Sequence, residues 1–174
     1  VQALDYGTSM FVTASGTCMM NATVPGNAVA SQMQYVTSAA VPAANYGDLS
    51  GTGCVNGTGT GQPGIYKIKG IEGGSVKITI DNVSGADFDF SPNSGCIVNY
   101  DGTVAVDSCD AFVPGVLANR KLAGGTEDTA TTPAGGPSVG GDLVFTVGGT
   151  ITIGGADLAP NQAYTENFPV TVIY

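Results

Sequence analysis

The chain of 174 residues contains no histidine and no tryptophan, and only five of its residues are basic. Without imidazole there is no Ser-His-Asp or Cys-His nucleophile pair, no histidine general base and no histidine-containing metal site. The whole basic inventory is Lys67, Lys69, Lys77, Arg120 and Lys121. Phosphate backbones are held by clustered Lys and Arg, so no nucleic-acid partner is expected. Fourteen acids outweigh the bases, giving a formal charge of -9, and such a surface favours solubility and avoids anionic membranes. Charged residues make up only 11% of the chain, against roughly 25% in an average soluble domain. Long apolar runs are lacking too. None approaches the ~18 to 20 residues of a membrane-spanning helix, so no membrane span is expected.

What is present is 43% hydrophobic residues and 27 glycines. Residues 1–174 are expected to form a single domain, burying roughly two-thirds of the surface its unfolded chain exposes. Apolar residues recur with period two, and Gly, Asn and Asp punctuate the runs. The expected class is all-β: an immunoglobulin-like or Greek-key β-sandwich with long Gly/Thr-rich loops and an extended N-terminal strand. Residues 65–80 read as a hairpin turning at 72–75. Tyr66, Ile68, Val76, Ile78 and Ile80 share one face, and Lys67, Lys69, Lys77 and Thr79 the solvated one. Further strands are expected at 86–90, 96–100, 103–107, 143–147, 150–153 and 164–174. Residues 51–64 and 113–141 read as loops, and 28–40 as a short helix or, at 34–37, a strand.

The two ends carry the clearest pattern. Residues 2–14 read as one long amphipathic strand with Leu4, Tyr6, Thr8, Met10, Val12 and Ala14 on one face. The C-terminus mirrors it with Phe168, Val170, Val172 and Tyr174. Pro169 cannot donate to a ladder, so that strand is expected at a sheet edge, or to begin there.

Four cysteines in so polar and charge-poor a background read as two disulfides formed in an oxidising compartment. Zinc is the competing use, but no pair has C-x-x-C spacing. Cys96 and Cys109 bracket Asp101-Gly102, a dipeptide suited to a type I′ turn. Counting outward places Cys96 opposite Asp107 and Cys109 two residues further along the same face, within diagonal reach. Cys18 then pairs with Cys54. The only close carboxylate pairs are Asp87 with Asp89 and Asp107 with Asp110. The first could hold calcium or act as a glycosidase pair, but alternation with Phe88 and Phe90 marks a half-buried strand with a solvated acidic face. No phosphate-binding glycine loop or nucleophile elbow is present. The chain is expected to have no metal site, no cofactor and no catalytic residues.

The run Leu4-Asp5-Tyr6-Gly7-Thr8 resembles the Leu-Asp-Phe/Tyr-Gly motif of a family of secreted bacterial Gly- and Thr-rich β-sandwich domains of unassigned function. Residues 147–154, Val-Gly-Gly-Thr-Ile-Thr-Ile-Gly, with 161–165, Asn-Gln-Ala-Tyr-Thr, and the closing Phe-Pro-Val-Thr-Val-Ile-Tyr at 168–174, are similar to that family's ending. The segments around Tyr66-Lys67-Ile68-Lys69-Gly70 and Val76-Lys77-Ile78-Thr79-Ile80 are similar as well. More distantly, the chain resembles pilus subunits assembled by strand donation. The resemblance implies an extracellular or Gram-negative cell-surface location reached through the periplasm, and supplies no catalytic residues. If the chain is made with a leader, the sequence is expected to be its mature form.

The leading expectation is therefore a structural, non-enzymatic subunit of a surface filament or matrix fibre, a head-to-tail homopolymer held by β-strand addition. Residues 1–15 are the first candidate donor, with Leu4, Tyr6, Met10, Val12 and Ala14 entering a neighbour. The C-terminal edge, Phe168, Val170, Val172 and Tyr174, is the alternative interface. A monomeric adhesin or carbohydrate-binding module, using its long loops and stacking on Tyr35, Tyr46 and Tyr100, is the second expectation.

Overall fold

The period-two alternation resolves into two antiparallel sheets that share one core. The computed structural model describes residues 3–7, 13–22, 46–54, 59–71, 73–98, 109–110, 113–122, 141–159 and 162–174. No helix occurs among them. The strands are β1 (Thr17–Met20), β2 (Asp48–Ser50), β3 (Gly59–Thr60), β4 (Gly64–Lys69), β5 (Ser75–Ile80), β6 (Val83–Ser84), β7 (Phe88–Val98), β8 (Cys109–Asp110), β9 (Ala118–Lys121), β10 (Asp142–Ile153) and β11 (Val170–Ile173). The larger sheet runs β3-β2-β1-β10-β7-β6, with β4 also on β10 and β8 also on β7. The smaller sheet runs β11-β5-β9.

Strand β10 is the spine. Its first half pairs with β4 and its second half with β1 along one edge, while β7 follows the other edge. Leu143, Phe145, Val147, Ile151 and Ile153 turn inward from β10 and pack in one cluster with Val76, Ile78 and Ile80 of β5. Burying a large aliphatic or aromatic side chain stabilises by roughly 1.5 to 3 kcal/mol, so these facing rows are the main cohesive term between the sheets.

The expected hairpin at 65–80 is not one. β4 pairs with β10, and β5 pairs with β9 and β11, so the two consecutive strands lie in different sheets. Tyr66 and Ile68 meet Val76, Ile78 and Ile80 across the core instead of beside them. The connection is an arch, tightened by the Gly74 N–H donating to the Ile71 carbonyl at 2.9 Å. At Gly70 a Cβ would come within 2.6 Å of Leu122 and 2.8 Å of Tyr174, so glycine lets both side chains close over the turn.

The strands expected at 143–147 and 150–153 are one strand of 12 residues, and those at 86–90 and 96–100 merge into β7. Gly148-Gly149 makes no turn. Gly148 faces Ser94 and Thr150 faces Ser91, so Pro92 and Asn93 together oppose Gly149 in a bulge. The bulge accommodates a proline that has no N–H for the ladder. Gly149 sits at φ +147, and a Cβ there would meet the Ser91 carbonyl oxygen at 2.1 Å, so only glycine fits.

Two expected loops contain strands. β3 falls within 51–64, and β9 within 113–141, where it completes the small sheet by pairing with β5. Of the strand expected at 164–174, only Val170–Ile173 is paired. The expectations for 28–40 and 103–107 lie outside the described residues.

Candidate functional site

A disulfide ties the first strand of the large sheet to the segment that follows its neighbour β2. Cys18 of β1 and Cys54, just beyond β2, form a disulfide with Cα atoms 5.1 Å apart, both fully buried. Their separation of 36 residues implies a loop-closure stabilisation of roughly 4 kcal/mol. For the other expected pair the backbone register is defined: Cys109 faces Val98 and Asp110 faces Ile97. Cys96 is therefore not opposite Asp107 as counted from Asp101-Gly102. The pairing is displaced, and Cys96 and Cys109 still stand as diagonal neighbours, two positions apart. Their side chains, and residues 99–108, lie outside the described part of the chain.

The N-terminal segment does not run as one strand. Asp5 makes a single bridge, exchanging N–H···O bonds of 2.8 and 2.7 Å with Gln62, and Ala14 lies in a turn completed by Ser15 at φ 59. The Ala14 N–H donates to Asp157 Oδ1 at 2.7 Å. Between the bridge and the turn, Met10 and Val12 lie outside the described residues. Leu4 packs against the core and Tyr6 is inside it. The Tyr6 hydroxyl donates to the Gly149 carbonyl, and burial pushes its phenol well above the ordinary tyrosine range. Asp5 Oδ1 accepts from the Gly7 N–H at 2.7 Å, and Gly7 takes φ 63. Leu-Asp-Tyr-Gly thus supplies two core anchors, a turn cap and a positive-φ glycine, each with a local structural role. Leu4 and Tyr6, expected to fill a neighbour's groove, fill the core of their own chain.

The C-terminal segment has a different geometry. β11 is the outermost strand of the small sheet, entered directly from Pro169, as a proline without a ladder donor requires. Phe168, Val170 and Val172 pack onto the core. Phe168 lies edge-on to Tyr66 at 5.8 Å and tilted on Phe90 at 5.5 Å, and Tyr66 stacks on Phe145 at 5.4 Å. Tyr174 remains largely exposed while its hydroxyl donates to the Lys69 carbonyl at 2.9 Å, linking the end of β11 to the end of β4. On its other side β11 has no strand partner among the described residues.

The opposite edge of the same sheet, β9, carries Asn119, Arg120 and Lys121, and charged residues are a means by which natural edges resist pairing. β11 reads Val-Thr-Val-Ile, with no charge and no internal proline. The C-terminal edge is legible in the sequence, whereas the pattern at 118–121 is that of a loop. The signal for β9 lay in Ala118 and Leu122, which fall on one face at even spacing, with Leu122 buried.

Asp87 and Asp89 are exposed, with Phe88 and Phe90 turned toward the core, which is the solvated-face arrangement. Among the described residues no three His, Cys, Asp or Glu side chains gather to hold a metal, and no helix is long and apolar enough to cross a membrane. Tyr46 is buried, so its ring is not offered to a sugar; Tyr35 and Tyr100 lie outside the described residues. Compared with models of protein families, with curated proteins and with solved structures, the chain matches none.

Proposed function

We propose that this protein is a structural subunit of an extracellular or cell-surface fibre, assembled from copies of itself by β-strand addition at the open edge of β11. The observation that carries the reading is the asymmetry of the three-stranded sheet: among the described residues one edge strand includes Arg120 and Lys121 in its sequence, while the other, Val170–Ile173, is uncharged. An edge strand presents a row of main-chain donors and acceptors, and an extended segment that pairs with it satisfies them. The incoming segment would be the N-terminal stretch of a neighbouring subunit, with Met10 and Val12 continuing the apolar alternation beyond the anchored Leu4 and Tyr6. The buried Cys18–Cys54 bond supports a secreted, oxidising setting, and the resemblance to secreted bacterial β-sandwich domains and pilus subunits supports the same habitat.

Negative-stain microscopy of the purified protein tests the reading. Filaments are expected from the unaltered chain and are expected to be lost in Thr171→Glu, which puts a charge on the exposed face of β11, and in Met10→Asp/Val12→Asp. Filaments from Thr171→Glu indistinguishable from those of the unaltered chain would refute the β11 edge as the interface.

A further inference from the structure

Three triplets of the form Asn-x-Ser/Thr, the acceptor pattern of N-linked glycosylation, occur in the chain: Asn21-Ala22-Thr23, Asn56-Gly57-Thr58 and Asn82-Val83-Ser84. In a sequence rich in Asn, Thr and Ser the pattern alone carries little weight, and the surroundings of each asparagine separate an acceptor from a coincidence. Asn56 lies outside the described residues.

Asn21 is committed to the fold. It follows β1 directly, its N–H donates to the Asp48 carbonyl at 3.0 Å, and its own carbonyl accepts from the Gly47 N–H at 2.7 Å. Its side chain is held too. Oδ1 accepts from the Ser94 hydroxyl at 3.5 Å, and Ser94 Oγ in turn accepts from the N–H of fully buried Ala22 at 2.9 Å. A sugar on the Asn21 amide would have to enter this network.

Asn82 stands in the opposite situation. β5 ends at Ile80 in the small sheet and β6 begins at Val83 in the large one, so Asp81 and Asn82 form the corner where the chain crosses between sheets. Alternation along the extended chain sorts the triplet. Val83 packs against the core and pairs with Phe90, while Asn82 and Ser84 are exposed. The amide and the hydroxyl two positions on thus stand together in solvent, and neither side chain makes a hydrogen bond to a described residue.

We propose that Asn82 is the acceptor site for an N-linked oligosaccharide. In the transfer, Asn82 Nδ2 bonds to the anomeric carbon of the first sugar of a lipid-pyrophosphate-linked oligosaccharide. The bond from that carbon to the pyrophosphate oxygen breaks, the lipid pyrophosphate departs, and Nδ2 gives up one proton to solvent. The Ser84 hydroxyl is the group by which the exporting cell's transferase reads the triplet. The corner also gives the glycan something to cover. The turn before β9 is fastened there by the Gly115 N–H donating to the Ile80 carbonyl at 3.0 Å, and its Val113, Val116 and Leu117 are each at least half exposed. A bulky, hydrated glycan rooted two residues from that contact shields this apolar surface. The inference shares with the function proposed above only the exported, oxidising setting in which Cys18–Cys54 forms.

The test secretes the full chain through a eukaryotic endoplasmic reticulum and treats it with peptide N-glycosidase in heavy-oxygen water. That enzyme converts an occupied asparagine to a labelled aspartate, which peptide mass mapping locates. Label is expected at Asn82 and not at Asn21. It is expected to vanish in Asn82→Gln and in Ser84→Ala and to return in Ser84→Thr, with all three variants secreted and Cys18–Cys54 intact, because exposed positions tolerate substitution. Secreted, disulfide-bonded protein without label at Asn82, label at Asn21 in its place, or label that survives Ser84→Ala overturns the proposal. Microscopy of the same protein after glycan removal reads fibre formation separately, so an unlabelled Asn82 leaves strand addition at β11 standing. Free thiols at Cys18 and Cys54 in the secreted chain would overturn both the acceptor site and the exported setting.

Discussion

The two ends of this chain have the same pattern in sequence and different fates in structure. Leu4 and Tyr6 alternate with polar neighbours much as Val170 and Val172 do. The first pair is locked inside its own core by a single bridge at Asp5 and a buried hydroxyl on the Gly149 carbonyl. The second pair also faces the core, but among the described residues its strand is the outermost of its sheet, and it carries no charged residue. Alternation reports that one face of a segment is buried. It does not report whether the segment's main chain is satisfied, and that property separates an anchor from an interface.

The contrast between the ends can be probed from either side. The largest effect is expected from Tyr6→Ala, which empties a buried aromatic site and is expected to cost about 3 to 5 kcal/mol in chemical denaturation. Phe168→Ala removes a half-buried ring that contacts both Tyr66 and Phe90, and about 2 kcal/mol is expected. Tyr6→Phe keeps the ring and leaves the Gly149 carbonyl without its donor, for about 1 to 2 kcal/mol. Tyr174→Phe removes only a solvent-accessible bond to Lys69 and is expected to stay below about 1 kcal/mol. The smallest change in stability, within about 0.5 kcal/mol, is expected for Thr171→Glu on the exposed face of β11, together with complete loss of filaments. An N-terminal residue that tolerates truncation to alanine, or an edge substitution that unfolds the monomer, would erase the distinction between the two ends.

The same limit explains what the sequence showed of the fold and what it hid. The all-β class, the inward rows at Tyr66, Ile68, Val76, Ile78 and Ile80 and the edge position implied by Pro169 were legible, because each follows from periodicity or from the chemistry of one residue, whereas the Cys18–Cys54 bond was reached by elimination once Cys96 was paired with Cys109. The arch at 70–75 was not. Two alternating strands joined by a short glycine-rich turn look identical whether they pair side by side or face one another across a core, and the choice is made by distant partners, β10 for one and β9 and β11 for the other. Gly148-Gly149 misled for a related reason. Glycine pairs commonly turn a chain, but here the requirement is close approach of the Ser91 carbonyl across the bulge. Of the candidate interface, the apolar C-terminal strand was visible, while β9, at the other edge of its sheet, was hidden in a segment of low pattern.

If fibres form by strand addition, the main chain of β11 is satisfied by a neighbouring subunit and not by its own. Amide hydrogen exchange read at Val170–Ile173, in assembled fibres and in dispersed Thr171→Glu monomer, measures this directly. Amides of β11 that point away from β5 should exchange freely in the monomer and become strongly protected in the fibre, while the amides of β9 change little. Equal exchange at β11 in the two states, or new protection confined to β9, would contradict strand addition at this edge.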